Sequence, residues 1–127
     1  EYLSSVMSDE YVRRDLIKLY LKAGIPEKAE PIAEGLDKSN VFNLQSLCKV
    51  YCAKGDFHKA LKYIDKALVE DTCLKKVYRA AFRHDRAVSL HGIASQEAEA
   101  VMKEAIDLQP NPKTRKAWRE ELSTWMQ

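Results

Sequence analysis

Residues 51–68 read YCAKGDFHKALKYIDKAL, a helical pattern broken once by a glycine. Before the break, Leu44, Leu47, Cys48 and Tyr51 recur at three- and four-residue spacing. After it, Ala60, Leu61, Ile64, Ala67 and Leu68 do the same. Such spacing places each set on one helical face. Gly55 is suited to the left-handed position that ends a helix, and Asp56 to the cap that starts the next. The pattern therefore specifies two helices folded back on each other. Small residues let them approach closely, and large ones fill the gaps.

The pattern recurs along the chain. LIKLYLKAGIPEKAEPI lies over LCKVYCAKGDFHKALKYIDKAL without a gap. A first helix is predicted from Glu10, carrying Leu16, Ile17, Tyr20 and Leu21 and stopped by Gly24. Pro26 suits the first turn of a second helix, with Ala29, Ile32, Ala33 and Leu36 inward. Pro31 and Gly35 weaken that helix, the glycine by about 1 kcal/mol against alanine, so it should be short or kinked. Ser39 or Asn40 caps a third helix, and a fourth covers residues 57–70. Asp71 and Thr72 should cap a longer helix over 73–90, with Gly92 and Ser95 closing it and opening another over 96–108. A last helix over 113–126 aligns Trp118, Leu122 and Trp125. The opening EYLSSVMSD reads as the tail of a preceding helix. No segment sustains period-two alternation, so the expected fold is all-α: one domain of helical hairpins over 1–127, each with a glycine at its bend.

At 127 residues the chain has the size of one domain. A net charge of +2 is too small to imply nucleic acid or membrane binding. No run approaches the roughly 20 apolar residues that span a bilayer, and no signal-peptide pattern is visible. Glu1 in place of Met points to a piece of something longer. Three cysteines, Cys48, Cys52 and Cys73, are too few and too odd for a disulfide framework. The expected setting is intracellular and reducing, cytoplasmic first, with nucleus and organelles also open.

Gly24, Gly55 and Gly92 are spaced 31 and 37 residues apart, near the period of helical-hairpin arrays. Together with the residues quoted above, this chain resembles the tetratricopeptide repeat family. The match is best over 40–71. There Leu47, Cys48 and Tyr51 occupy the large, small and aromatic positions of the first helix, and Gly55, Phe57, Ala60, Ile64, Ala67 and Leu68 follow the second. Leu44 stands where tryptophan is common, and Thr72 replaces a terminal proline. The first unit keeps Leu16, Tyr20, Gly24 and Ala29; the third keeps Gly92, Ala105 and Pro110, with Asp85 near the small position. The resemblance implies a short right-handed solenoid of about three units (10–39, 40–72, 73–112) sealed by a capping helix over 113–126.

Chemistry-bearing residues are sparse. Cys48, Cys52, Cys73 and His58 lack the spacing of a metal site, and Cys48 reads as a packed small residue. His84, Asp85 and His91 have no paired nucleophile, and no glycine-rich phosphate loop exists, so neither an enzyme nor a cofactor is expected. Trp118 and Trp125 read as the buried stripe of a cap or as a partner anchor.

In the family, the first helix of each unit lines a concave groove. The resemblance places Arg14, Lys18, Gln45, Lys49, Arg79, Arg83 and Arg86 there, bordered by Asp15. Seven positions without a carboxylate imply a protein or peptide partner with acidic character or a free C-terminal carboxylate. The same residues also read as an ordinary solvated helix face. Arg79 and Arg83 resemble the last pair of a clamp that some members use for chaperone tails ending in Glu-Glu-Val-Asp. Lys18 and Ser46 stand where that clamp has asparagines, so that ligand is not expected. Two alternatives differ in class. LIKLYLKAGIPEKAE also resembles the RNA-reading pentatricopeptide units, although the spacing and charge argue against them. The domain could otherwise serve as a spacer inside a larger scaffold.

Overall fold

A computed structural model describes residues 9–126, which form seven α-helices, one 3₁₀ turn at Asp71–Cys73 and no strand. The helices are α1 (Glu10–Lys22), α2 (Pro26–Glu34), α3 (Val41–Lys54), α4 (Phe57–Leu68), α5 (Lys76–Gly92), α6 (Ala98–Leu108) and α7 (Pro112–Trp125). The chain is all-α. The helix expected in the opening residues lies outside the described ones, apart from Asp9, whose side chain caps α1 through the Tyr11 N–H at 2.8 Å.

Local chemistry accounts for most boundaries. Asn40, Asp56 and Asn111 each accept a backbone N–H at the start of α3, α4 and α7. Pro26 and Pro112 occupy first-turn positions of α2 and α7, where no N–H is needed. α2 has only nine residues and contains Pro31, as its sequence faults foretold. The start of α5 differs from expectation: Asp71 and Thr72 do not cap it. They lie in the 3₁₀ turn, and the helix begins at Lys76 after the extended Lys75, which gives no side-chain cap.

Three bends are built alike. Just past each one, a backbone N–H reaches five residues back: Ile25 to Tyr20 O (3.0 Å), Asp56 to Tyr51 O (2.9 Å) and Ser95 to Leu90 O (2.9 Å). The residue between is left-handed in all three, Gly24 at φ 76°, Gly55 at φ 82° and Ala94 at φ 56°. The third bend is thus at Ala94, two residues beyond the expected Gly92, which is still inside α5. Gly92 is small for another reason. A Cβ there would lie 2.2 Å from Cγ of Phe57, the first residue of α4.

The substantial helix contacts join elements one or two places apart in the chain: α1 with α2 and α3, α3 with α2, α4 and α5, α5 with α4 and α6, and α6 with α7. The core has two centres. One gathers Ile17, Ala29, Ala33, Leu44, Leu47, Cys48, Val50, Tyr51, Ala60 and Ile64 with Phe82 from α5. The other joins Ala87, Leu90, Ala98, Met102 and Ile106 to Leu122, with Trp118 and Trp125 packed against it. Leu61 touches both. Matching the three bends aligns Ile17, Cys48 and Ala87, all fully or almost fully buried. Ala87 is therefore the α5 counterpart of Cys48, and Asp85, two residues earlier, points nearly the opposite way around the helix.

Candidate functional site: a groove between the first and third helices

α1 and α3 lie side by side, and a groove of about 460 Å³ runs between them, lined also by Tyr78 of α5. Arg14 and Lys18, one turn apart, face it from α1; Gln45 and Lys49 do so from α3. Its apolar lining comes from Ile17, Leu21 and Phe42. Tyr11 and Tyr78 stand on its rim with 75% and 42% of their surface exposed, an unusual state for such large side chains. The Tyr78 ring meets Phe42 edge-on at 5.1 Å, and the Arg14 guanidinium sits 4.8 Å above the Tyr11 ring. The carboxylate of Asp15 also lines the groove.

The polar groups differ in how firmly they are held. Arg14 donates to the side-chain oxygen of fully buried Asn43. The amide of Asn43 is tied in turn to Glu10 Oε1 at 3.0 Å and Asp37 O at 2.9 Å, joining α1, α3 and the α2–α3 loop. The bond from Asn43, together with one from the Asp37 N–H to Glu10 Oε2 at 3.0 Å, holds the Glu10 carboxyl below the usual carboxylate range. Lys49 donates to Asp85 Oδ1 at 3.1 Å, and Gln45 to Asp85 Oδ2 at 2.9 Å. Lys18 is exposed and makes no hydrogen bond or ion pair among the described residues.

Four of the seven expected groove residues are brought together: Arg14, Lys18, Gln45 and Lys49. Arg79, Arg83 and Arg86 are not with them. Arg83 and Arg86 line a separate depression between α4, α5 and α6, where Arg83 Nε meets Glu104 at 2.6 Å and Arg86 Nε meets Asp65 at 2.7 Å. Arg79 is half-buried and lines neither. The reason is the bend at Ala94. With 3.6 residues per turn, an offset of two residues rotates a side chain by about 200°. Aligned on the observed bends, the α5 counterparts of Gln45, Ser46 and Lys49 are His84, Asp85 and Val88.

His84 and Asp85 extend the polar face towards α7. His84 Nε2 lies 2.6 Å from Glu121 Oε1, its Nδ1 lies 3.8 Å from Asp85, and its ring stacks on Trp118 at 4.5 Å. One step further, His91 stacks on Trp125 at 4.3 Å. The tryptophan stripe thus covers α5, with Leu122 buried between. Burial opposes charge on His84, but the carboxylates of Asp85 and Glu121 more than offset it and raise its pKa to about 9. Burial likewise opposes charge on Asp85, yet Lys49, His84 and Gln45 keep its carboxyl below the usual range. The Asp85 carboxylate also pushes the Lys49 ammonium up.

A pH effect follows. Because the folded pKa of His84 is raised from 6.5 to about 9, its stabilisation is fully present below pH 6.5 and lost as pH rises through 9. The loss is at most about 3 kcal/mol. Urea unfolding from pH 6 to pH 10 should show it in the wild type and not in His84→Gln.

The cysteines take separate places. Cys48 is buried and Cys52 half-buried, both within 3.4 Å of Ser89 Oγ; Cys73 is exposed. The Cys52 thiol and burial push the Cys48 thiol up. Among the described residues, no group of three His, Cys, Asp or Glu side chains is placed to hold a metal ion, and no helix is long and apolar enough to cross a membrane.

No protein-family model matches the chain, and no curated protein or solved structure matches it either.

Proposed function

We propose that the chain is a protein-interaction module built of tetratricopeptide-like hairpins. It holds an acidic partner segment in the groove between α1 and α3 and makes or breaks no bond. Support for the stacked arrangement comes from the three alike bends and from substantial contacts that join helices one or two places apart among the described residues. The observation that carries the binding site is the groove itself. Three cations, Arg14, Lys18 and Lys49, share it with a single lining carboxylate, Asp15, between two exposed tyrosines. Charge complementarity favours an acidic segment and speeds its encounter. The tyrosines and Phe42 supply the large, stiff, amphipathic contacts that interfaces favour. The depression beside Arg83 and Arg86 is a weaker candidate, because each arginine there is matched by a carboxylate.

Selection of random twelve-residue peptides on the immobilised chain tests this reading. Enriched sequences should combine Asp or Glu with an aromatic or aliphatic residue, and their binding should weaken as salt is raised. Lys18→Glu, a charge reversal at the groove cation with no ion pair among the described residues, should lower affinity at least about tenfold. Unchanged affinity in that variant would remove the groove from consideration. Preference for single-stranded RNA over every peptide would favour a nucleic-acid module instead.

A further inference from the structure

Gln45 and Lys49, the polar groups that α3 gives the groove, both end on one carboxylate behind the wall. Asp85 is 6% exposed, and its two oxygens are divided between them at 2.9 and 3.1 Å. Its backbone carbonyl is fixed as well, accepting from Ser89 Oγ at 2.9 Å. Behind it His84 and Glu121 continue the chain of charges to α7. Lys49 keeps 43% of its side chain exposed, so it is reachable from the groove while bonded at its tip. A partner's anion can bond the remaining N–H donors of Lys49 but must share its charge with Asp85, and drawing the ammonium fully away would leave a buried carboxylate with one charge fewer to face. Losing one member of a buried pair is costly. Lys18 carries no such tie among the described residues.

We propose that Asp85 is the positioning residue of the groove: it fixes Gln45 and Lys49 on the α3 wall and withholds Lys49 from partners. The site therefore selects a sparsely acidic segment with an apolar anchor over a polyanion. This selectivity rests on the groove being the binding site; the positioning of Lys49 does not. The acid of the partner meets Lys18 and Arg14 on α1, and its anchor enters between Tyr11 and Tyr78 over Phe42. With Asp15 in the lining and Asp85 behind Lys49, the three groove cations are accompanied by two carboxylates, one of them bonded to Lys49. A run of phosphates or glutamates finds too few free charges to settle on.

Two readouts test it on the whole chain. The first needs no ligand: limiting acetylation, read site by site by mass spectrometry, compares Lys49 with Lys18. In the unaltered chain Lys49 should react at least about threefold more slowly, and in Asp85→Asn its rate should rise about threefold or more while Lys18 stays constant. Equal rates at the two lysines in the unaltered chain, or no change in the variant, would overturn the positioning role. The second uses fluorescein-labelled polyglutamate and a twelve-residue oligouridine. Asp85→Asn should bind both about three- to tenfold more tightly than the wild type, with a steeper salt dependence. Released Lys49 with no gain for either polyanion would overturn the selectivity. If instead Lys49 behaves as expected but the wild type retains no acidic-apolar peptide, the groove fails as a binding site and the positioning stands.

Discussion

Phe82→Ala is expected to cost about 3–5 kcal/mol and to divide a single unfolding transition in two. Phe82 is fully buried and is the α5 side chain that enters the first core centre, its ring meeting Phe42 edge-on at 5.9 Å. Ala87 and Leu90 of α5 belong to the second. Truncating Phe82 both leaves a cavity and thins the apolar link between the two halves. Where helices contact only their neighbours in the chain, cooperativity depends on such links. Both tryptophans lie in α7, so their fluorescence follows the second centre while far-UV circular dichroism follows every helix. In Phe82→Ala the two urea midpoints should separate. Coincident midpoints with a loss under about 1 kcal/mol would mean that the centres are joined by other means.

Gly92→Ala should destabilise the chain by about 1–3 kcal/mol, although the same change at an ordinary helix position would stabilise it by about 1 kcal/mol. The sign is set by Phe57. A Cβ on residue 92 would sit 2.2 Å from Cγ of that ring and 2.3 and 2.5 Å from its two Cδ atoms. These are the root of the side chain and not a movable tip, so α4 and α5 must part or the ring must leave its rotamer. In a Phe57→Ala background the clash is gone, and Gly92→Ala should become stabilising by up to about 1 kcal/mol. A stabilising effect in the wild-type background would mean that Phe57 yields freely and that the close approach does not constrain the helix pair.

The same glycine marks the limit of what the sequence could reveal. The helix caps at Asn40 and Asp56 were legible because capping is local chemistry between residues two or three apart. Gly24 and Gly55 were legible because a left-handed bend favours glycine. The third bend defeats that rule: Ala94 takes the left-handed position, and Gly92 lies inside the helix, where Phe57 fills the place a side chain would take. Taking Gly92 as the bend turned α5 by two residues and put Arg79, Arg83 and Arg86 in the groove, to which α5 gives Tyr78 among the described residues. The link from Asp85 to Gln45 and Lys49 spans two helices and is invisible to any local rule. One signal was available. Phe82, Asp85 and Ser89 fall at helical spacing on one face, and a carboxylate between two residues of a buried stripe requires a partner from the next helix. The α1 half of the groove, by contrast, followed from the family resemblance, whose register held there because the bend at Gly24 was placed correctly.

The binding role of the α1–α3 groove is tested most directly by mapping a selected acidic-apolar peptide onto the chain through backbone amide shifts. Shifts concentrated at Tyr11, Lys18, Phe42, Gln45, Lys49 and Tyr78, fading as salt is raised, are the expected result. Shifts concentrated instead around Arg83, Arg86 and Glu104, or along α7, would contradict it.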